Sequence, residues 1–548
     1  MAGHRFRNSA ISADVATLID ACLPGKPLFS QNHATPLPLS RTSLARILLT
    51  ASTAYLSAML VAYVGVSAVE RHQVESATYI FVIVAVAVSW LRTPDEPGSP
   101  RLAAFDKSLA WWCVAGPALA IAVYGRGVSL GFLSDDFVLK HSALSGIWLP
   151  QPAYVRPIPV MIWRLLLSIS FNPSWLHLLS IFLHGINAAL VGVLAVRLGL
   201  PRVTAVAAGL LFLVFPSSVE AVVWPAAIHD VIVATCTLVF LLLAGAPARW
   251  PWTVGAGFVL VLGLLSKESA VAIPFLAALL WLPIAHPQRS TAFPKVLTGI
   301  LVCAVYGLTR HFAFPIPSGY GEGTDRYLLK ELLTRPIGTL TLPWASYVPA
   351  RPVVSCASGL AIVLAAAGYV WRRDKALPWQ TMMRVVIALI VAALPVYSLL
   401  YVSPDLENAR YLYVSTAFWV IAVAGFAGTS RGMPPLAMMA VSLALLAGVV
   451  GIRWHLTPWR DAAGARDRVL MAAETAMQSP SCRVSSFASA PDAIRGAFVF
   501  RNGLQEAIAF HTGAKPSTAA ADCSFAWDGM TFRRAAASGT IQARLSVR

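Results

Sequence analysis

Asp135 and Asp136 stand side by side in SDDF (134–137), at the end of a mostly apolar stretch that runs from Leu109 to Leu133. Burial and a like-charged neighbour both disfavour ionisation of a carboxylate, and a carboxylate at a partly dry interface can be poised to take a proton from a hydroxyl. Three further motifs set charge against apolar runs: LLSKESAVAIP (264–274) with Lys267 and Glu268, ENARYLY (407–413) with Arg410 and Tyr411, and PSSVEAVVWPAAIHD (216–230) with Glu220, Trp224, His229 and Asp230. A charge at the centre of a bilayer costs about 2.5–3.5 kcal/mol on insertion scales, so Lys267 and Glu268 belong at a turn or in a polar cavity. Lys and Arg suit phosphate, Arg bidentately and Lys as a point charge, and they stabilise negative charge gathering on a phosphate leaving group. Each feature also has a plainer reading: a polar helix end, a snorkelling turn, or an interfacial anchor.

A fourth feature is a polar stripe. His177, Ser180, His184 and Asn187 are spaced by three, four and three, which puts them on one helical face. Hydrogen bonding between helices explains such a stripe without any substrate. A metal shared by the two imidazoles is disfavoured, because seven residues separate them by about 10.5 Å along the axis.

The elements that must position these residues follow from composition. The chain of 548 residues is 57% hydrophobic and 12% charged, with a mean hydropathy of +0.67, which marks an integral membrane protein. About thirteen apolar stretches begin near residues 44, 77, 109, 175, 203, 229, 252, 269, 295, 354, 384, 411 and 434. The expected architecture is an all-α polytopic membrane domain over 44–452, with a cytoplasmic tail before it (1–43) and a small α/β appendage after it (453–548). An outer loop is expected near residues 132–174, and its amphipathic stretch after SDDF, including Arg156, would lie in the interface and roof the carboxylates. The appendage carries a helical pattern from Ala465 to Met477 and turn signals at Asn502-Gly503 and Asp528-Gly529.

The formal charge of +17 comes without a basic run of five residues, so it reads as topology and not as nucleic-acid binding. With the N-terminus inside, Arg92, Arg101, Lys107, Arg197, Arg202, Arg249, Arg289, Lys295, Arg372, Arg373, Lys375, Arg384 and Arg431 fall on the cytoplasmic side. SDDF, the 216–230 segment, Lys267-Glu268, Arg410 and the appendage then share the outer face. The tail has no apolar signal region before the first span. Cys482 and Cys523, together in the polar appendage, would form a disulfide in an oxidising compartment.

At these residues the sequence resembles the glycosyltransferase C superfamily of polytopic enzymes, and within it bacterial relatives of the membrane part of tetratricopeptide-containing protein O-mannosyltransferases. The resemblance is carried by SDDF, VRPIPVMIWRL (155–165), WLHLLSIFLHGINAAL (175–190), FPSSVEAVVWPAAIHDVI (215–232), LLSKESAVAIP and NARYLYVS (408–415), in that order. It implies inverting transfer of a sugar from a polyprenyl-phosphate carrier to an acceptor hydroxyl, on a protein or an envelope glycan or lipid, at the outer face of a bacterial inner membrane. By the same resemblance Asp135 is the catalytic base, Asp136 supports it or orients the acceptor, and Lys267 and Arg410 hold the donor phosphate. Arg156, His184, Asn187, Glu220, His229, Asp230, Glu268 and Tyr411 are further substrate-site candidates. Some superfamily members use a divalent metal such as Mg or Mn and others do not. The sequence departs from the family pattern in having no tetratricopeptide array after the membrane part and two additional spans near 44–92.

A transporter or flippase of a lipid-linked saccharide is the rival class, kept open by the polar stripe; a transferase with a lipid pyrophosphate donor would share the same electrostatics. Sidedness is the first testable consequence. A topology reporter fused after Trp459 is expected outside the cytoplasm, and a cytoplasmic signal would remove the basis for a shared outer site.

Overall fold

The structure, a computed structural model, describes residues 107–147, 154–283, 286, 288–313, 329–341, 379–403, 405–428, 433–478, 484–517, 523–535 and 544–546. These residues form a mostly helical body followed by a small mixed sheet. Six helices among them are long and apolar enough to cross a membrane, or seven if the bent pair Arg202–Leu213 and Pro216–Val223 is one span. The stretches expected near 44, 77 and 354 lie outside the described residues.

The helices of the body are α1 (Lys107–Tyr124), α2 (Asp135–Leu144), α3 (Pro157–Ile169), α4 (Ser174–Arg197), α5 (Arg202–Leu213), α6 (Val219–Val223), α7 (Ile228–Ala244) and α8 (Trp250–Leu264). They continue with α9 (Ile273–Trp281), α10 (Arg289–Ala313), α11 (Leu329–Thr341), α12 (Trp379–Ala393), α13 (Tyr413–Ala427) and α14 (Pro435–Met477). Proline opens several of them, at Pro157, Pro274 and Pro435, where the first turn needs no amide donor. The described residues of the amphipathic region after SDDF form two short helices, α2 and α3.

α4 and α7 occupy the middle. α4 packs on α1, α5 and α7, and α13 packs on α5 and α12. α1 crosses α4 closely: a Cβ on Gly185 would run into the backbone of Gly116 and Pro117. Small residues at a helix crossing let backbones approach, and that approach supplies much of the packing energy where lipid leaves no hydrophobic drive.

The boundary expected at 453 falls inside a helix. α14 runs unbroken for 43 residues, about 65 Å at 1.5 Å per residue, and Pro458 does not interrupt it. Its first half exposes Leu436, Met439, Leu443, Leu446, Val450 and Trp454 in steps of three and four, an apolar stripe suited to lipid, while Gly448 and Gly451 pack on Val214 and Pro216. Its second half carries Arg460, Asp461, Arg466 and Asp467 into the appendage. Between 435 and 477 there is no glycine–proline break, so the apolar and polar periodicities join in one rod.

The appendage holds β1 (Val484–Ala488), β2 (Ala493–Ile494), β3 (Ala497–Phe498), α15 (Leu504–Thr512), β4 (Lys515–Ser517), β5 (Cys523–Trp527), β6 (Phe532–Ala535) and β7 (Arg544–Ser546). Its sheet has the order β4-β7-β1-β5-β6, with β1 and β5 parallel and the other pairs antiparallel. Phe487, Phe525 and Phe532 form its core, with ring centroids 4.9–5.3 Å apart. Cys523 is disulfide-bonded; Cys482 lies outside the described residues.

The α1–α4 crossing generates a prediction. Gly185→Leu is expected to destabilise the body by about 1–3 kcal/mol, the usual cost of overpacking, seen as a lower melting temperature in detergent; an unchanged melting temperature would show that the crossing does not depend on close approach.

Candidate functional site

The two aspartates of SDDF have different surroundings. Asp136 is fully buried, and its Oδ2 and Oδ1 accept hydrogen bonds from the amides of Leu133 at 2.8 Å and Ala226 at 2.7 Å. Burial pushes its carboxyl well above the usual carboxylate range, and the two amides act against that shift. With both oxygens engaged by the backbone, Asp136 is a tether. Asp135 is only partly buried, its Oδ1 accepts from Asn502 Nδ2 at 2.6 Å, and it lies within electrostatic reach of Arg410.

The turn itself is strained. Ser134 precedes α2 with φ +50°, a conformation that costs a residue bearing a Cβ about 1–3 kcal/mol. The surroundings hold it there. The Ser134 amide donates to Val499 O at 2.9 Å, and Trp224 Nε1 donates to Leu133 O at 3.1 Å. Arg466 Nη1 donates to the carbonyls of Leu130 and Phe132 at 2.7 and 2.9 Å.

The charged motifs meet in the same neighbourhood. Lys267, 1% exposed, forms a short ion pair with Asp230, whose other oxygen lies 3.2 Å from His229 Nε2. Arg410 forms a short ion pair with Glu220 through Nη1, donates from its amide to the other Glu220 oxygen at 3.2 Å, and donates from Nη2 to Tyr411 OH at 3.0 Å. Its Nε faces Asp230 Oδ2 at 3.9 Å. The Tyr411 ring lies between the two cations, 4.6 Å from Lys267 Nζ and 4.7 Å from the Arg410 guanidinium carbon. Glu268 bridges Arg156 at 2.7 Å and Arg310 at 3.2 Å, and Arg310 also donates to Tyr306 OH at 3.1 Å.

Local sequence explains how these side chains arrive. Pro216 and Pro225 interrupt the 216–230 segment, so it folds as short turns that present Glu220, Trp224 and Asp230 to one side. Asn408 adopts the left-handed conformation, φ +70°, that Asn tolerates, and its Nδ2 donates to Tyr401 O at 3.2 Å, aiming the 409–412 turn and Arg410 inward. Arg156 is fixed by the start of α3, where the Ile158 amide donates to Leu265 O at 3.3 Å.

His184 and Asn187 are buried on α4 behind the cluster, against Tyr413 and the backbone next to Asp230. His184 bonds Tyr413 OH at 2.6 Å and Leu213 O at 3.0 Å. Asn187 donates to Val231 O at 3.1 Å and accepts from Thr235 at 2.8 Å. His177 bonds Gly131 O at 3.1 Å. These contacts lock α4 to α5, α7 and α13. Among the described residues no three His, Cys, Asp or Glu side chains gather as a metal set.

Arg310, Tyr306 and Asn502 join the site without having been singled out in the sequence. Arg310 was legible as an ionisable residue at the end of an apolar span. Asn502 read only as a turn former. Compared with family models, curated proteins and solved structures, the chain matches none.

The contrast between the aspartates is testable by stability. Asp136→Asn replaces an acceptor oxygen with a donor and leaves a buried amide unpaired, at a cost of about 1–3 kcal/mol, whereas Asp135→Asn is expected to leave the melting temperature unchanged. Equal melting temperatures in the two variants would contradict the division of roles.

Proposed function

We propose that this membrane protein is an inverting glycosyltransferase of the glycosyltransferase C type, moving a sugar from a polyprenyl-phosphate carrier to an acceptor hydroxyl at the outer membrane face. The observation that carries the reading is the pairing of one accessible carboxylate, Asp135, with a nearby cluster of cations, while its neighbour Asp136 is committed to the fold.

The chemistry follows from that arrangement. The acceptor oxygen attacks the anomeric carbon and its proton passes to the Asp135 carboxylate. The bond between that carbon and the phosphate oxygen breaks on the opposite face, and its electron pair leaves with the phosphate. One essential carboxylate suffices, because a retaining route would need a second one placed for covalent attack.

Lys267 and Arg410 already have carboxylate partners in Asp230 and Glu220. These pairs hold the two cations in place before a donor binds, so their positive groups need not reorganise when charge develops on the leaving group. Arg156 is the most exposed cation of the cluster, with 19% of its side chain accessible against 11% for Arg410, 6% for Arg310 and 1% for Lys267. Arg156 and Arg410 are accordingly the direct phosphate contacts in this reading, with Lys267 behind them. Apolar helices reaching the cluster, α3, α8 and α9, would give the polyprenyl chain a surface that water does not compete for.

Transfer of radiolabelled sugar from a panel of polyprenyl-phosphate sugars, in membranes with matched protein levels, tests this. Asp135→Asn is expected to lower transfer by about 10²- to 10⁴-fold with donor binding retained, and Arg156→Ala to raise the donor KM. Equal transfer by wild type and Asp135→Asn would overturn the assignment.

A further inference from the structure

The proposed base is held by a residue from outside the membrane body. Asn502 lies in the turn between β3 and α15 of the appendage, 367 residues from Asp135 in sequence, and its Nδ2 donates to Asp135 Oδ1 at 2.6 Å. The turn carrying it is fastened to SDDF by several independent contacts. Val499 O accepts the Ser134 amide at 2.9 Å, and the Asn502 amide donates to Ser134 Oγ at 3.2 Å. Gly503, at φ +80°, passes so close to Ser134 O and Phe137 that a Cβ would not fit.

The flanking residues of this turn reach the cation cluster as well. The Phe498 ring packs on Trp224 with centroids 4.8 Å apart and lies 5.6 Å from the Arg410 guanidinium carbon. Phe500 stacks on Phe137 at 6.3 Å, and Arg501 pairs with Glu407 at 2.9 Å, three residues before Arg410. Residues 498–503 thus form one wall of the site, touching both the carboxylate and the elements that carry the cations.

We propose that Asn502 is a positioning residue for Asp135 and that the 498–503 turn makes the appendage an integral part of the catalytic centre. This rests on the glycosyl-transfer reading. The Asp135 side chain stands on the first turn of α2, and a hydrogen bond to one oxygen fixes its rotation, leaving Oδ2 for the acceptor hydroxyl. Among the described residues Oδ2 takes no hydrogen bond. Fixing the direction of a general base matters because misplacement of a reacting group by about 1 Å can cost on the order of 10²-fold in rate. Asn502 is exposed, so the hydroxyl approaches beside it from the water side, and the bond it makes is weaker than a fully buried one.

The test separates kcat from KM in the full-length protein. Asn502→Ala is expected to lower transfer turnover roughly 3- to 10-fold, the range for loss of one modest hydrogen bond, with the donor KM unchanged. In the Asp135→Asn background the same change is expected to cost nothing further, because the group it orients is gone. Arg501→Ala, which loosens the same turn without touching Asp135, is the comparison, expected to cost turnover less than Asn502→Ala. Equal losses in Asn502→Ala and Arg501→Ala, or an undiminished loss in the Asp135→Asn background, would make the turn a structural clasp and overturn the proposal alone. Transfer that is insensitive to Asp135→Asn would overturn the parent reading and this one with it.

Discussion

Asp136 ties together two segments that a membrane domain would otherwise have to align by packing alone. Its carboxylate takes the amide of Leu133 on one oxygen and that of Ala226 on the other, so the end of the apolar stretch before SDDF and the turn before α7 share one anchor. From Ala226 the chain reaches Asp230 within about one helical turn, and Asp230 holds Lys267; a few residues earlier Glu220 holds Arg410. From Leu133 it reaches Asp135. Together with the Trp224 Nε1 bond to Leu133 O, this buried carboxylate fixes the 133–136 turn against the segment that carries Glu220 and Asp230. Unpaired buried amides are costly, so this registration resists drift.

The cations obey a second constraint. Removing one member of a buried ion pair typically costs about 3–5 kcal/mol, because the remaining charge is left uncompensated in low dielectric. The described structure answers with one carboxylate per buried cation at Lys267 and Arg410, and with Glu268 shared between Arg156 and Arg310. Aromatic faces complete the shell: Tyr411 lies beside both Lys267 and Arg410, and Trp224 lies 4.8 Å from the Arg410 guanidinium carbon. Each cation of the cluster is thereby held in place by a carboxylate or an aromatic face.

Much of this was legible in the chain because charge beside apolar runs is rare and therefore informative. SDDF, Lys267-Glu268, Glu220, Asp230 and Arg410 stand out by that rule, and the three-four-three spacing of His177, Ser180, His184 and Asn187 gave one helical face. What periodicity does not encode is pairing across long separations. Lys267 finds Asp230 37 residues away, Arg156 finds Glu268 at 112 and Arg410 finds Glu220 at 190. The different fates of Asp135 and Asp136 depend on which backbone amides arrive from the 225–227 turn, which is equally hidden. A change in hydrophobicity near 453 marks a boundary in the sequence, but helical geometry continues through it and α14 is one helix. Asn502 looked like an ordinary turn residue for the same reason: its partner is supplied only by the fold.

The central claim is that the SDDF end of the molecule receives a phosphate-borne sugar between the cation cluster and Asp135. Electron cryomicroscopy of the full-length protein in lipid nanodiscs with a polyprenyl-phosphate sugar tests it most directly, with Asp135→Asn used to slow turnover. The account predicts phosphate density against Arg156 and Arg410, the polyprenyl chain along the apolar helices, and the anomeric carbon facing residue 135. Lipid phosphate bound at the opposite end of the helices, or a sugar held away from residue 135, would contradict it.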